Sequence, residues 1–210
     1  MTDFITEKVR NQIFEIGKIL DRIGERVEGN LICDITSENL IVEVNKAKIS
    51  NLITLSIGCQ KICEIGVNAG HSLLLMVSTN PSAEYLVFDL GAHTYTRPCI
   101  EYIKSQYPST KITEVYGDTK TTLRDSILPE FKKSTDLIHI DGGHDTHTVV
   151  NDFIYTQYLL KMGGVVVFDD YNYGNIKEVL DHYKNQKVIS AIHKEGLIDT
   201  NLHYIYTFND

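Results

Sequence analysis

The chain has 210 residues, a formal net charge of -8, and an ordinary globular composition with no low-complexity tract or internal repeat. That length is most simply one domain with a substantial core. The acidic balance argues against a nucleic-acid binder, which needs a basic surface to neutralise phosphates, and against docking on anionic membranes.

Met1 to Arg10 alternates charged and apolar side chains, so neither a signal peptide nor a transmembrane helix is expected there. From Phe4 to Val27, the positions Phe4, Ile5, Val9, Ile13, Phe14, Ile16, Ile19, Leu20, Ile23 and Val27 have the spacing of an amphipathic helix or pair of helices, weakened by Gly17 and Gly24. Such helices suit a packing element, a lid or a dimer interface, and their pattern does not choose among these. Asn30 to Val44 reads as irregular. Ala47, Ile49, Leu52, Ile53, Leu55 and Ile57 then predict a helix over Asn45–Ile57 that ends at Gly58. Residues 1–44 are thus expected to be an N-terminal helical or lid segment, and 45–210 the core.

None of the four cysteines, Cys33, Cys59, Cys63 and Cys99, forms a C-x-x-C pair. They read as small buried hydrophobes in a reducing, cytoplasmic compartment.

From Lys61 the chain alternates. Strands are expected at Lys61–Ile65, Glu84–Asp89, Lys111–Tyr116, Asp136–Ile140 and Gly164–Phe168. Between and after them, helices are expected at Ser72–Ser78, Tyr95–Gln106, Thr121–Leu128, Thr146–Leu160 and Ile176–Tyr183. This alternation means a parallel sheet with right-handed crossovers. Two final strands, about Val188–His193 and His203–Phe208, have no helix between them and imply an antiparallel hairpin at the sheet edge. The expected α/β fold is three-layered and doubly wound (Rossmann-like), with seven mostly parallel strands plus N-terminal helices.

In such sheets chemistry gathers at the carboxyl ends of the strands. The first strand ends in Glu64-Ile65-Gly66-Val67-Asn68-Ala69-Gly70-His71-Ser72. Gly66 permits a tight turn, and Gly70 lets a ligand or the sheet approach the helix start, where free N–H groups favour anionic or polar groups. A dinucleotide fingerprint needs G-x-G-x-x-G, and the middle glycine is absent here, which disfavours a dehydrogenase. Asp136-Leu137-Ile138-His139-Ile140-Asp141-Gly142-Gly143-His144 is a buried strand that delivers a carboxylate and then a histidine. Asp141 reads either as a reacting group or as a cap for the next helix. Gly163 to Asn172 is a central strand that ends in Asp169 and Asp170.

The E-x-G-x-x-x-G pattern resembles the first motif of class I S-adenosylmethionine-dependent methyltransferases. By that resemblance Glu64, Gly66, Asn68, Gly70 and Ser72 form the cofactor loop, Asp89 holds the ribose hydroxyls, and Asp118 and Thr119 line the adenine. Asp141 stands at the junction of cofactor and acceptor. The likeness covers most of residues 45–210. The acids at the ends of the fourth and fifth strands look like those of metal-dependent O-methyltransferases, both the catechol type and the macrocin type that methylates sugar hydroxyls. Asp141, Asp169 and Asp170 would then hold Mg²⁺ or another hard divalent cation, since crowded carboxylates on strands about 4.8 Å apart need neutralising. His144 departs from the lysine that the catechol enzymes carry there, and histidine suits general-base work at neutral pH. His144 is the expected base, with Asp141 as the alternative. His139 is expected to point to the other side of the strand as a satisfied core histidine. The H-x-D-G-x-H and F-D-D-Y wording is closer to the sugar enzymes, so a glycan or other small-molecule acceptor is expected. A catechol or small phenol is the alternative acceptor. A non-catalytic cofactor-binding scaffold is the alternative of another class. Tyr95, Tyr171 and Tyr173 lie at or after strand ends and are candidates for an aromatic wall.

Overall fold

The computed structural model describes residues 5–29, 43–125 and 131–209. Most of the stretch read as irregular, with Cys33, lies outside them. Among the described residues seven helices and seven strands follow in chain order: α1 Glu7–Ile23, α2 Glu43–Ser56, β1 Lys61–Ile65, α3 His71–Thr79, β2 Glu84–Asp89, α4 Thr96–Gln106, β3 Ile112–Tyr116, α5 Thr119–Asp125, β4 Thr135–Ile140, α6 Thr146–Leu159, β5 Leu160–Asp169, α7 Gly174–Asn185, β6 Ile189–Ala191 and β7 His203–Phe208. The expected elements are all present. The predicted end of α5 falls outside the described residues, and β5 begins four residues earlier than its β-branched run suggested.

The strands form one sheet in the order β3-β2-β1-β4-β5-β7-β6. Neighbours among the first five pair in parallel, while β7 runs antiparallel to both β5 and β6. The order reverses direction at β1, so a crevice opens beyond the carboxyl ends of β1 and β4.

Strand alternation divides the core in two. Ile62, Tyr85, Val87, Leu137 and Val167 face one layer with α1 to α4, and Ile65, Phe88, Ile138, Ile140, Val166 and Phe168 face the other with α5 to α7. α1 belongs to the first layer through Val9, Ile13, Ile16 and Leu20. Its ends are defined by Thr6, whose hydroxyl accepts from Val9 N–H, and by Gly24 in the left-handed conformation. Of the cysteines described, Cys63 and Cys99 are fully buried, Cys59 is half-buried, and all three are free. Burial pushes the Cys59 thiol up to about 11 and the Cys99 thiol up to about 12.

Candidate active site

A cleft of about 810 Å³ lies over the carboxyl ends of β1, β2 and β4, a volume in the range of small-molecule and cofactor sites. The loop after β1 forms its floor. Gly66 has φ +85°, and a Cβ there would sit 2.0 Å from the carbonyl oxygen of Asp141, so the turn requires glycine. Gly66 N–H donates to Phe88 O at 2.8 Å and Asp141 N–H to Ile65 O at 2.8 Å, which locks the loop between β2 and β4. Asp89 stabilises the same turn: its Oδ2 accepts from the amides of Val67 (3.0 Å) and Asn68 (2.9 Å), its Oδ1 from Gly91 N–H (2.8 Å). Carboxylate oxygens keep further lone pairs, so Asp89 retains acceptor capacity toward the cleft it lines.

Seven of the expected cofactor residues line the cleft: Gly66, Asn68, Ser72, Asp89, Asp118, Thr119 and Asp141. Glu64 and Gly70 lie beneath the lining. Glu64 is fully buried and accepts from Ser72 Oγ (2.5 Å) while pairing with His139 Nδ1 (2.9 Å). Gly70, at φ +78°, packs against Ile103. The helix after β4 is capped by Asp145, whose Oδ1 accepts from Thr148 N–H at 3.1 Å. Asp141 is therefore not the cap of α6.

Glu28, His71 and Asp152 are among the residues of the cleft wall that were not singled out in the sequence. Glu28, after α1, is tied to the loop by Asn68 Nδ2 donating to its carbonyl, and nearby Glu25 accepts from Thr94 N–H at 2.8 Å. Asp152, on α6, is buried and lines the cleft; burial pushes its carboxyl up to about 6. His71 is 5% exposed, and its Nε2 has no partner among the described residues. Burial lowers the His71 imidazole to about 4. It should stay neutral from pH 7 to about 4.5 in an NMR titration of the ring nitrogens. Because the folded value is depressed, the stability it contributes is present above pH 6.5 and is lost as pH falls through about 4. A midpoint near 6.5 would place the ring in water.

Beneath the cleft runs a buried polar row across β1, β4, β5 and β7: Glu64, His139, Asp169 and His203, each at most 4% exposed. His139 Nε2 lies 3.9 Å from Asp169 Oδ2, and His203 Nδ1 lies 4.0 Å from Asp169 Oδ1. His203 Nε2 meets Asn51 Nδ2 at 2.9 Å, which makes Nε2 the acceptor and Nδ1 the protonated nitrogen. His139 does not point away from Asp141 as expected. Residues two apart on a strand share a face, so His139 and Asp141 are on one side with Leu137. One atom each of His139, Asp141 and Asp169 lie mutually within 4.8 Å.

Asp170 does not join this group. Alternation turns it from Asp169, its backbone is left-handed at φ 54°, and its Oδ2 lies 3.0 Å from His144 Nε2. That contact holds Nε2 as the protonated nitrogen and leaves the Nδ1 lone pair free of it. His144 stacks obliquely on Tyr173, with ring centroids 4.5 Å apart. Of the three candidate wall tyrosines, Tyr173 lines the cleft, Tyr95 is fully buried, and Tyr171 stacks on Tyr204.

Lys48 of α2 completes the cluster, with its ammonium against Asp169 Oδ2 and 3.9 Å from Asp170 Oδ1. Burial opposes the Lys48 charge, but Asp169 outweighs it and raises the pKa. Burial likewise opposes the His139 charge, but Asp169 and Glu64 raise it to about 10. Asp141 opens onto the cleft, yet its carboxyl lies among many protein atoms. That burial, then the Asp169 charge, pushes it up to about 7. The crowding expected of these acids is present, and protein cations relieve part of it.

A switch-point crevice with a glycine turn, an acid after β2 and an antiparallel final strand defines a class I methyltransferase fold. A family model described as a methyltransferase domain matches residues 63–171, just over half of the chain. The chain belongs to that methyltransferase family. The fold is similar to a putative O-methyltransferase from Klebsiella pneumoniae, with TM-score 0.66, 15% identity, and coverage of 98% of this chain and 92% of that one. It is similar also to an O-methyltransferase from Bacillus cereus in complex with S-adenosylhomocysteine, with TM-score 0.66, 14% identity, and coverage of 93% and 89%. A third is an O-methyltransferase of tomaymycin synthesis from Streptomyces achromogenes in complex with S-adenosylmethionine, with TM-score 0.66, 11% identity, and coverage of 98% and 92%. An uncharacterized protein of Acanthamoeba polyphaga mimivirus is 36% identical over 69 residues, which is 32% of this chain and 27% of that protein. Among the described residues no helix is long and apolar enough to cross a membrane.

Proposed function

We propose that this methyltransferase moves the methyl group of S-adenosylmethionine to a hydroxyl of a sugar or glycan, with a hard divalent cation such as Mg²⁺ at Asp141 and Asp169. The observation that carries the reading is the place of His144: on the cleft wall, oriented by Asp170, across from the glycine loop. When bound, the cofactor supplies an electrophilic methyl group and the cation a Lewis acid for the acceptor oxygen. In the transfer a C–S bond breaks and a C–O bond forms, and the hydroxyl proton must leave. His144 Nδ1 takes that proton, while Asp170 holds the ring and stabilises the imidazolium. The turn at Gly66 and Asp89 would hold the donor in line with the acceptor oxygen; orientation of this kind supplies roughly 7–11 kcal/mol.

The fit to both groups rests on the donors present. The glycine turn, the unpartnered His71 nitrogen and the Asp89 carboxylate suit a polar nucleoside cofactor. For a cation, Asp169 is buried with neither oxygen receiving a directed hydrogen bond, and Asp141 is held close to protonation. Oxygen donors of this kind suit Mg²⁺. Asp170, engaged by His144, would join only by turning from it.

The sugar acceptor is favoured by the cleft mouth. It offers one half-exposed ring, Tyr173, among His144, Asp145 and Gly143, a surface more suited to one face of a polar ring than to sandwiching a catechol. His144→Ala should lower kcat by about 10²–10⁴-fold. Cofactor affinity, measured by calorimetry with S-adenosylhomocysteine, should stay within about threefold. Full activity in His144→Ala would assign the base elsewhere, with Asp141 the next candidate.

A further inference from the structure

We infer that Lys48 is the resident counter-cation of the Asp141–Asp169 site, so that a divalent cation binds there by exchange, displacing the Lys48 ammonium from Asp169. The inference rests on the cation reading above and adds a residue to it from outside the cofactor-binding motifs.

The geometry is specific. Lys48 reaches the cluster from α2, whose Ile49, Leu52 and Leu55 are buried in the core. Asn51, one turn further on, fastens α2 to β7 and to the connection that precedes it. Its Nδ2 donates to Ile198 O at 2.8 Å and reaches His203 Nε2, and its Oδ1 accepts from Ile198 N–H at 2.8 Å. With the helix so anchored, the Lys48 side chain is only 12% exposed and ends on Asp169, whose side chain has no exposure at all. An ammonium in contact with a carboxylate occupies the position a metal ion bound to that oxygen would take. Two cations cannot share it, because repulsion at contact distance inside a protein is strong. The lysine stem is flexible and can leave toward solvent while the apolar residues keep α2 in place. Cation affinity is then set partly by the cost of evicting Lys48.

The test uses Mn²⁺ as the probe, with free metal read by electron paramagnetic resonance in the absence of acceptor. Lys48→Met keeps the stem length and removes the charge; Lys48→Arg keeps the charge. Mn²⁺ should bind Lys48→Met at least about tenfold more tightly than the wild-type chain, and Lys48→Arg no more tightly than wild type. In the wild-type chain, Mn²⁺ should also increase acetylation of Lys48 by an amine-reactive reagent, read by mass spectrometry; this arm is independent of any variant's folding. Equal affinity in all three proteins, or unchanged acetylation despite Mn²⁺ binding, overturns the exchange and leaves the cation site standing. No Mn²⁺ binding to any of them, with S-adenosylhomocysteine still bound, overturns the exchange and the cation reading together.

Discussion

Asp169→Ala should destabilise the chain by about 3–5 kcal/mol in urea denaturation and remove methyl transfer. Asp169 sits at the end of β5 with its side chain fully buried, the Lys48 ammonium against one oxygen and His139 and His203 facing it. Deleting one partner of a buried pair leaves the other charge uncompensated, and that penalty is typically 3–5 kcal/mol. The cause can be separated from the loss of packing. In Asp169→Ala/Lys48→Met the orphaned ammonium is gone as well, so the double variant should recover at least about 1 kcal/mol relative to the sum of the single changes. Raising the pH should narrow the gap between Asp169→Ala and the wild-type chain. The stability that Asp169 adds by helping Glu64 hold His139 near 10 is present at low pH and lost as pH rises through about 10, so its removal costs most where His139 is charged. Additive single and double variants would mean that Lys48 and Asp169 do not meet in solution.

Gly66→Ala should cost about 2–5 kcal/mol and abolish cofactor binding. A positive φ costs an L-residue about 1–2 kcal/mol, and forcing an extra methyl into a filled site adds about 1–3. The methyl would meet the backbone of Asp141, 2.0 Å from its carbonyl oxygen, which no side-chain rotation can relieve. Either the loop after β1 or the end of β4 must move, and both carry site residues. Misplacement of a reacting group by about 1 Å can cost about 10²-fold in rate. Gly163→Ala is the control, for Gly163 also has positive φ but a Cβ there meets nothing within 4 Å. Gly163→Ala should cost only the conformational penalty and leave S-adenosylhomocysteine binding unchanged. Cofactor binding by Gly66→Ala comparable to wild type would show that the turn does not support the site.

The architecture was legible because its signals are local. Continuous apolar runs such as Tyr85–Phe88 and Val165–Phe168, the glycines near their ends, and the helix-free gap before His203 define the sheet without knowledge of the partners. The glycine turn after β1 was legible for the same reason. What the residue pattern did not yield depends on approach in space. Nothing near Asp169 in the chain announces Lys48, which arrives from α2, or the pairing of His144 with Asp170. A weaker signal was nevertheless present. Lys48 shares a helical stripe with Leu52 and Leu55, as Asp152 does with Val149, Phe153 and Thr156, and a charge on a buried stripe asks for a partner. His139 was placed on the wrong side although the period of two already put it with Asp141.

Transfer of labelled methyl groups from S-adenosylmethionine, offered panels of glycans, catechols and small phenols with Mg²⁺ and again after exhaustive chelation, tests the account most directly. Label should appear on a glycan hydroxyl in the presence of Mg²⁺ and fall at least about 10²-fold on chelation. Label confined to phenols would contradict the acceptor assignment. Tight cofactor binding with no transfer to any hydroxyl would contradict the proposed chemistry and leave a cofactor-binding scaffold.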